Sequence, residues 1–197
     1  GAPWTLIIYM FGLKKNKNQI DIAKLIKLEP EIKIVLNKIN DYLCAHVYEQ
    51  IKAGADTIQI FDSWAGLLPD EKLFDFCFVP NKKIVDFCKE KKIPVICFPR
   101  GIKKNYLEFA NHVKPNCLSL DYEIDPVWAV NNLSSYCLQG GLDPKVLFKK
   151  EDEILYEVDR YLNNFKGHPY VFNLGHGLLP ETNPEILRKV VEHVNNF

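Results

Sequence analysis

Four side chains suited to binding an anion or moving a proton stand where apolar runs of the sequence end. Tyr9 closes the first run, Ser63 follows TIQIF (57–61), and Arg100 follows PVICF (94–98). His176 lies between two glycines after the last run. Hydroxyls donate hydrogen bonds, arginine grips carboxylates, and histidine changes charge near neutral pH. These residue types at strand ends predict a polar cleft of the kind that forms an active site.

Other polar and small residues at strand ends suit structural tasks. Asp121 and Asp143 are interpreted as residues that brace loops or cap helices. Gly140 and Gly141 are expected to allow an unusual turn of the backbone beside a ligand.

The cysteines give no sign of a metal site. None of the six forms a C-x-x-C pair, and no Cys and His residues have the spacing of zinc ligands. Most of them lie in apolar runs, where a free thiol acts as a small hydrophobic group. We therefore expect no metal and a reduced protein of the cytoplasm.

Charge and hydropathy exclude two classes of partner. The chain has 25 basic and 25 acidic residues, so it has no net positive charge to attract nucleic acid or an anionic membrane. No apolar run approaches the roughly 18 residues that a membrane span needs.

The start Gly1-Ala2-Pro3, with the only methionine at Met10, leads us to expect that the native N-terminus lies upstream.

Apolar runs alternate with amphipathic stretches along the chain. Strands are predicted at 4–10, 57–61, 94–98, 117–120, 135–138 and 170–173, and a loop at 12–19. Helices are predicted at 31–53, at 70–91 with a break near Pro80, at 104–113, at 151–164 and from Asn183 onward. This βαβα alternation predicts an α/β fold with a parallel sheet, in a single domain over residues 1–197.

Six strings of the sequence, taken together and in order, resemble the uroporphyrinogen decarboxylase family. They are GAPWTLIIYM (1–10), GADTIQIFDSWAG (54–66), FPRG (98–101), LDYEID (120–125), LQGGLDP (138–144) and NLGHGLLPETNPE (173–185). The resemblance covers the whole chain. It implies a (β/α)8 TIM barrel, of which this chain would be a truncated part with roughly the last five to six βα units.

The resemblance also implies an activity. Members of the family remove carbon dioxide from the acetate side chains of uroporphyrinogen III and give coproporphyrinogen III, as homodimers and without metal or organic cofactor. Tyr9, Ser63 and His176 match family residues that contact the substrate, and Tyr9 and His176 would take part in catalysis. Phe61 would pack against the macrocycle. Arg100, the only arginine at a strand end, is an additional candidate for binding a propionate.

One departure from the family pattern concerns the N-terminal part. The family carries there an arginine loop of the R-Q-A-G-R type and an Asp that holds the pyrrole N–H groups, and neither is in this chain. We therefore expect the fragment alone to be inactive.

Two alternatives stay open at this stage. A corrinoid-linked methyltransferase shares the barrel, but those enzymes hold zinc through a His-x-Cys pair, which this sequence lacks. A non-catalytic truncated barrel, whose exposed strand edges invite association with another chain, is the other.

Overall fold

The structure is a computed structural model that describes all residues from Gly1 to Phe197. Five strands form one parallel sheet in which they follow the order of the chain, which confirms the predicted α/β fold. They are β3 (Ile58–Asp62), β4 (Val95–Pro99), β5 (Cys117–Leu120), β6 (Cys137–Gly140) and β7 (Tyr170–Val171). Sequential parallel strands linked through helices are the arrangement of a βα barrel.

Nine α-helices accompany the strands. They are α1 (Pro3–Met10), α2 (Ile22–Lys27), α3 (Glu29–Lys52), α4 (Asp70–Leu73), α5 (Val79–Glu90), α6 (Tyr106–Val113), α7 (Pro126–Asn132), α8 (Glu151–Asn164) and α9 (Pro184–Asn195). The helix α7 was not predicted; it begins after Asp125, whose side chain accepts a hydrogen bond from the backbone N–H of Trp128. No helix of the chain is both long and apolar enough to cross a bilayer.

The chain divides into two compact units, Gly1–Cys117 and Leu118–Phe197, and the division falls within β5. The prediction of a single domain over residues 1–197 therefore stays a prediction. In the first unit, β3 and β4 pair in parallel from Ile58 opposite Val95 to Asp62 opposite Pro99. In the second, β6 and β7 pair in parallel through Leu138 and Tyr170.

The helix α3 shows how the sequence builds the first unit. Its apolar positions recur every three or four residues, and the buried ones are Ile32, Leu36, Ile39, Leu43 and Val47. Such spacing places them on one side of the helix, and each fully buried aliphatic side chain contributes roughly 1.5–3 kcal/mol. The helix packs through this side against α1 and α5.

The expected opening strand over residues 4–10 is wrong, because these residues form the helix α1. The run TLIIYM has no charged residue, and such a run carries no periodicity that separates a buried helix from a strand. Pro3 occupies the first turn, where its missing N–H has no cost. The helix buries Trp4, Ile7 and Ile8 and leaves Tyr9 exposed.

Two smaller differences concern the segments around the sheet. The predicted loop at 12–19 contains a hairpin of β1 (Lys14–Asn16) and β2 (Gln19–Ile20). The break near Pro80 is a π-helical segment, Phe74–Phe78, just before α5. Proline has no N–H to donate to the carbonyl one turn earlier, so the regular hydrogen-bond ladder cannot continue there.

The last helix, α9, begins as predicted, with the Asn183 side chain accepting a hydrogen bond from the Glu185 N–H. Its predicted buried side was Ile186, Leu187, Val190, Val191 and Val194, but only Val190 is buried and Val191 is 57% exposed. An amphipathic pattern identifies the apolar side of a helix, whereas burial also requires another element to cover it.

Candidate active site

The helix α1 is bound along the carboxyl end of β3 by three hydrogen bonds. The backbone N–H of Ala2 donates to the Phe61 carbonyl at 2.8 Å. The Thr5 hydroxyl donates to an Asp62 carboxylate oxygen at 2.8 Å, and Trp4 Nε1 donates to the Trp64 carbonyl at 3.1 Å. The residues that follow β3 are therefore held against the helix that carries Tyr9.

Tyr9 and Trp64 form the exposed end of this contact. Trp64 Nε1 donates to the Tyr9 hydroxyl oxygen at 2.9 Å, and the two rings meet edge to face with centroids 6.4 Å apart. The Tyr9 side chain is 62% exposed. Because the indole N–H uses an acceptor position of the phenol, the phenolic O–H can still donate to a ligand.

Phe61 is the exposed residue of β3, and Ser63 directly follows the last residue of the strand. Successive strand residues point to opposite faces, and Ile58, Ile60 and Asp62 are buried on the face opposite Phe61. Phe61 is 46% exposed and packs edge to face against Phe98. The half-buried Ser63 makes no side-chain hydrogen bond within the protein. The end of β3 thus carries an exposed apolar ring, and two residues later the chain offers a hydroxyl that can donate to a ligand.

Arg100 is held next to the end of β3 through its backbone. Its N–H donates to the Asp62 carbonyl at 3.2 Å, and its carbonyl accepts from the Gly66 N–H at 2.8 Å. A Cβ atom on Gly66 would lie 2.4 Å from the Gly101 carbonyl oxygen, so the two loops touch through glycine backbone. In the first unit, Tyr9 contacts Trp64, and the backbone of Arg100 is bound to the end of β3, which carries Phe61 and is followed by Ser63. Their joint role as a site stays a prediction.

Asp62 holds these elements together from the opposite, buried face. It is 1% exposed, and its second carboxylate oxygen accepts from Asn81 Nδ2 at 3.0 Å. Burial raises the pKa of the Asp62 carboxyl, and the hydrogen bonds from Thr5 and Asn81 partly oppose that rise. Burial, followed by the nearby Asp62 charge, raises the pKa of the Cys77 thiol well above its ordinary value. Asp62 therefore positions its neighbours and does not itself reach a ligand.

Sequence reasoning missed the contribution of Trp64. It joins Tyr9 to the β3 loop, and the Lys14 ammonium lies 3.5 Å from the centroid of its ring. The signal available in the sequence was its place directly after Ser63 in the string DSWAG. Nothing in that string indicates contact with residues 9 and 14, because both contacts join segments about fifty residues apart.

His176 belongs to the second unit, at the end of the segment that follows β7. The Gly175 N–H donates to the Leu142 carbonyl at 2.8 Å, and a Cβ atom on Gly175 would lie 2.4 Å from the backbone nitrogen of Tyr122. His176 is exposed, and its Nδ1 accepts a hydrogen bond from the Gly177 N–H at 2.6 Å. In the neutral ring the proton is then on Nε2.

The remaining predicted residues of the second unit behave as expected. Gly140 and Gly141 have φ angles of 78° and 103°, a conformation that favours glycine. The Tyr170 hydroxyl donates to the Gly140 carbonyl, and the Tyr161 hydroxyl donates to the Gly141 carbonyl, each at 2.7 Å. The Asp143 side chain caps the short helix after it by accepting from the Lys145 N–H. The Asp121 side chain braces its loop by accepting from the Glu123 N–H.

The chain contains no group of three or more His, Cys, Asp and Glu side chains that could hold a metal ion. The arrangement can instead bind a flat apolar ring against Phe61 while hydroxyls and a cation meet anionic groups at its edge. Sequential parallel strands followed by such residues are the arrangement of the βα-barrel class.

A family model described as uroporphyrinogen decarboxylase (URO-D) matches residues 1–197. The chain therefore belongs to the uroporphyrinogen decarboxylase family. The uroporphyrinogen decarboxylase of Jannaschia sp. is 35% identical over 100% of this chain and 58% of its own length. That of Chlorobaculum tepidum is 36% identical over 98% of this chain and 57% of its own length.

The chain thus spans a little more than half the length of these relatives. A methyltransferase from Methanosarcina mazei has a similar structure, with a TM-score of 0.79 over 100% of this chain and 57% of its own. Only 17% of the aligned residues are identical, so this likeness shows the shared fold alone. Family and fold together confirm the predicted TIM-barrel type.

Proposed function

We propose that the full-length protein is a uroporphyrinogen decarboxylase, which converts uroporphyrinogen III into coproporphyrinogen III by removing carbon dioxide from its four acetate side chains. The observation that carries the proposal is the set of groups near the end of β3: the exposed ring of Phe61, the hydroxyl of Ser63 after the strand, and the Tyr9 hydroxyl bound to Trp64. A macrocycle with carboxylate side chains needs both an apolar face and donors around it. The curated relatives bear the same name.

The chemistry explains why such a surface is needed. A proton added to a pyrrole ring carbon makes a cation that can accept electrons. The bond from the acetate methylene to its carboxylate then breaks, carbon dioxide leaves, and the electron pair neutralises the ring. The methylene carbon takes up a proton and the ring carbon releases one, so each acetate becomes a methyl group with the net uptake of one proton. Fixed dipoles and hydrogen bonds in a water-poor site stabilise the charge that develops.

Each predicted site residue has a role within this proposal. Tyr9 donates its phenolic proton to a carboxylate, and Ser63 donates to an acetate or propionate oxygen. His176 holds a carboxylate through its Nε2–H, or as the imidazolium ion. Phe61 packs against the macrocycle, and Arg100 binds a propionate. Tyr9 and His176 are the proposed catalytic residues of this chain.

The assay is the anaerobic conversion of uroporphyrinogen III by the full-length protein, with products separated after oxidation to porphyrins. His176→Gln should lower turnover strongly. His46→Gln, at an exposed position on α3, is the control and should leave turnover unchanged. Lack of coproporphyrin from the wild-type protein would contradict the proposal.

We also propose that residues 1–197 by themselves do not turn over the substrate. The chain has three arginines, of which only Arg100 follows a strand. Its buried Asp62 already accepts hydrogen bonds from two side chains, so it is not available to hold pyrrole N–H groups. Turnover by the isolated segment at a rate comparable with the full-length protein would contradict this.

The methyltransferase alternative is supported by the similarity of fold alone. No residue of the candidate site supports it. Those enzymes use zinc to activate a thiol. One tightly bound zinc ion per chain, measured on the purified protein, would support it, whereas decarboxylation that survives treatment with a chelator would support the decarboxylase.

We further infer a cytoplasmic enzyme that acts as a homodimer when full length and binds no nucleic acid or membrane. All six cysteines are free thiols and four are buried, as expected in a reducing compartment. The balanced charge of the chain supports the absence of a nucleic-acid partner. Light scattering of the full-length protein tests the dimer.

A further inference from the structure

We propose that Lys14 is a substrate-binding residue that holds a carboxylate side chain of the tetrapyrrole at the rim of the site and so favours highly anionic substrates. The inference rests on the proposed function and adds a residue that the family resemblance does not supply. Its basis is the place of Lys14 in the fold, its contact with Trp64, and the lack of an acidic partner.

The hairpin of β1 and β2 fixes the backbone of Lys14. Leu13, directly before it, is fully buried, and Ile20 on the opposite strand is 6% exposed. The register places Lys14 opposite Ile20, and the Asp21 N–H donates to the Leu13 carbonyl at 2.8 Å. Lys14 is therefore anchored on both sides, whereas Lys15 and Lys17 are exposed.

The ammonium group of Lys14 lies over the Trp64 ring, with Nζ 3.5 Å from the ring centroid. A cation is attracted to the face of an indole, and the attraction holds the flexible side chain in one place. The edge of the same indole donates to Tyr9. Lys14 and Tyr9 therefore contact one ring, the first at its face and the second at its edge.

Lys14 also carries a charge that no carboxylate of the protein neutralises. No ion pair or hydrogen bond joins its Nζ to an acidic residue. Lys72, by contrast, pairs with Glu29 at 2.7 Å, and Lys82 pairs with Asp86 at 2.7 Å. A fixed, unpaired cation beside exposed hydroxyl and aromatic groups suits a ligand with several carboxylates, since one carboxylate can accept from Tyr9 while another meets Lys14.

The test is the binding of uroporphyrin, an oxidised analogue of the substrate, to the full-length protein, followed by quenching of tryptophan fluorescence. Lys14→Gln should weaken binding about fivefold at low ionic strength, and the difference should shrink at high salt because screening weakens the ion pair. Lys14→Arg should bind like the wild type. Lys15→Gln is the matched control, with the same charge change at an exposed neighbouring position, and should have less than a twofold effect.

Kinetics give a second readout that a merely structural role would not move. An ion pair of equal strength in the ground state and the transition state affects binding alone, so Lys14→Gln should raise KM and leave kcat nearly unchanged. The affinity loss should be smaller for coproporphyrin, which has fewer carboxylates. Circular dichroism and thermal unfolding of each variant exclude a loss of folding, and Lys14→Met, which keeps only the stem over the indole, should repeat the Gln result.

The outcomes separate the two proposals. If the wild type binds uroporphyrin and Lys14→Gln and Lys14→Met bind it equally well, Lys14 is not a binding residue, and the decarboxylase proposal stands. If the wild type neither binds uroporphyrin nor converts its reduced form, the proposed function fails, and the role of Lys14 with it.

Discussion

Tyr9 and Asp62, both near the end of β3, have different tasks. Tyr9 is exposed and offers its O–H to a ligand, whereas Asp62 is buried and accepts hydrogen bonds from the helices around it. Substitutions at the two positions should therefore affect different measurements, activity for the first and stability for the second.

For Tyr9, the substitution Tyr9→Phe removes the hydroxyl and keeps the ring. We expect kcat/KM of the full-length protein for uroporphyrinogen III to fall about tenfold to a hundredfold, which is typical of losing a hydrogen bond to a charged group. The unfolding midpoint should change little, because water can replace the hydroxyl at the exposed Trp64 N–H. Tyr156→Phe, which removes a hydroxyl from a side chain 69% exposed on α8, is the control. Equal rates for both variants would exclude Tyr9 from catalysis.

For Asp62, the raised pKa has a consequence for stability. The folded state binds this proton more tightly than the unfolded state, in which the pKa returns to about 3.8. The stabilisation is therefore fully present below pH ~4 and is lost as the pH rises through the folded-state pKa. Asp62→Asn, which is neutral at every pH, should lose less unfolding free energy between pH 4 and pH 7 than the wild type.

Urea unfolding at several pH values measures this difference. Asp152→Asn, at an exposed position in the first turn of α8, is the control and should follow the wild type. If Asp62→Asn shows the same pH dependence as the wild type, the buried carboxyl is not the source of the effect.

At the scale of elements, the loops after β3 and β4 depend on two glycines in contact. The space around Gly66 admits no Cβ atom, since the Gly101 carbonyl oxygen would lie 2.4 Å away. Because backbone cannot move aside as a flexible side chain can, the loop that carries Ser63 is tied to the loop that carries Arg100.

Gly66→Ala should therefore destabilise the protein by about 2 kcal/mol or more and also lower activity, because both loops must separate. Gly177→Ala is the matched control for stability, since a Cβ atom added there would have no other atom within 4 Å and its φ is not in the left-handed region. Thermal unfolding of the two variants gives the comparison, and equal midpoints would contradict the close contact.

At the scale of the whole molecule, the prediction of one domain implies that the two compact units unfold together. We expect one cooperative transition over residues 1–197, because the boundary of the units falls within a strand of the sheet. Trp128→Phe leaves Trp4 and Trp64 as the only tryptophans, and both are in the first unit. Their fluorescence and the far-ultraviolet circular dichroism of the whole chain should then change at the same urea concentration. Separate midpoints would show two domains.

The ends of β3 and β4 were predictable from the sequence because they depend on local order. Ser63 and Arg100 directly follow these strands, as the short apolar runs before them indicated, whereas His176 lies several residues beyond the end of β7. The helices α3 and α8 were likewise predictable from their spacing of apolar residues.

The helix α1 and the contacts of Trp64 could not be predicted in this way. A mostly apolar run without charged positions carries no period, so only its packing against α3, α5 and β3 makes it a helix. The hydrogen bond from Trp64 to Tyr9 and the contact with Lys14 join segments about fifty residues apart. The pattern of neighbouring residues in the sequence contains no information on contacts between such distant residues.

The sequence by itself therefore determined the family, the βα order and the residue types at the strand ends, since each is a property of neighbouring residues. Only the tertiary structure decided that Tyr9 stands on a helix, that Asp62 is a buried brace, and that Lys14 lies over Trp64. The physical reason is that burial and hydrogen-bond partners depend on which distant segments meet, and the packing of the folded chain determines those meetings.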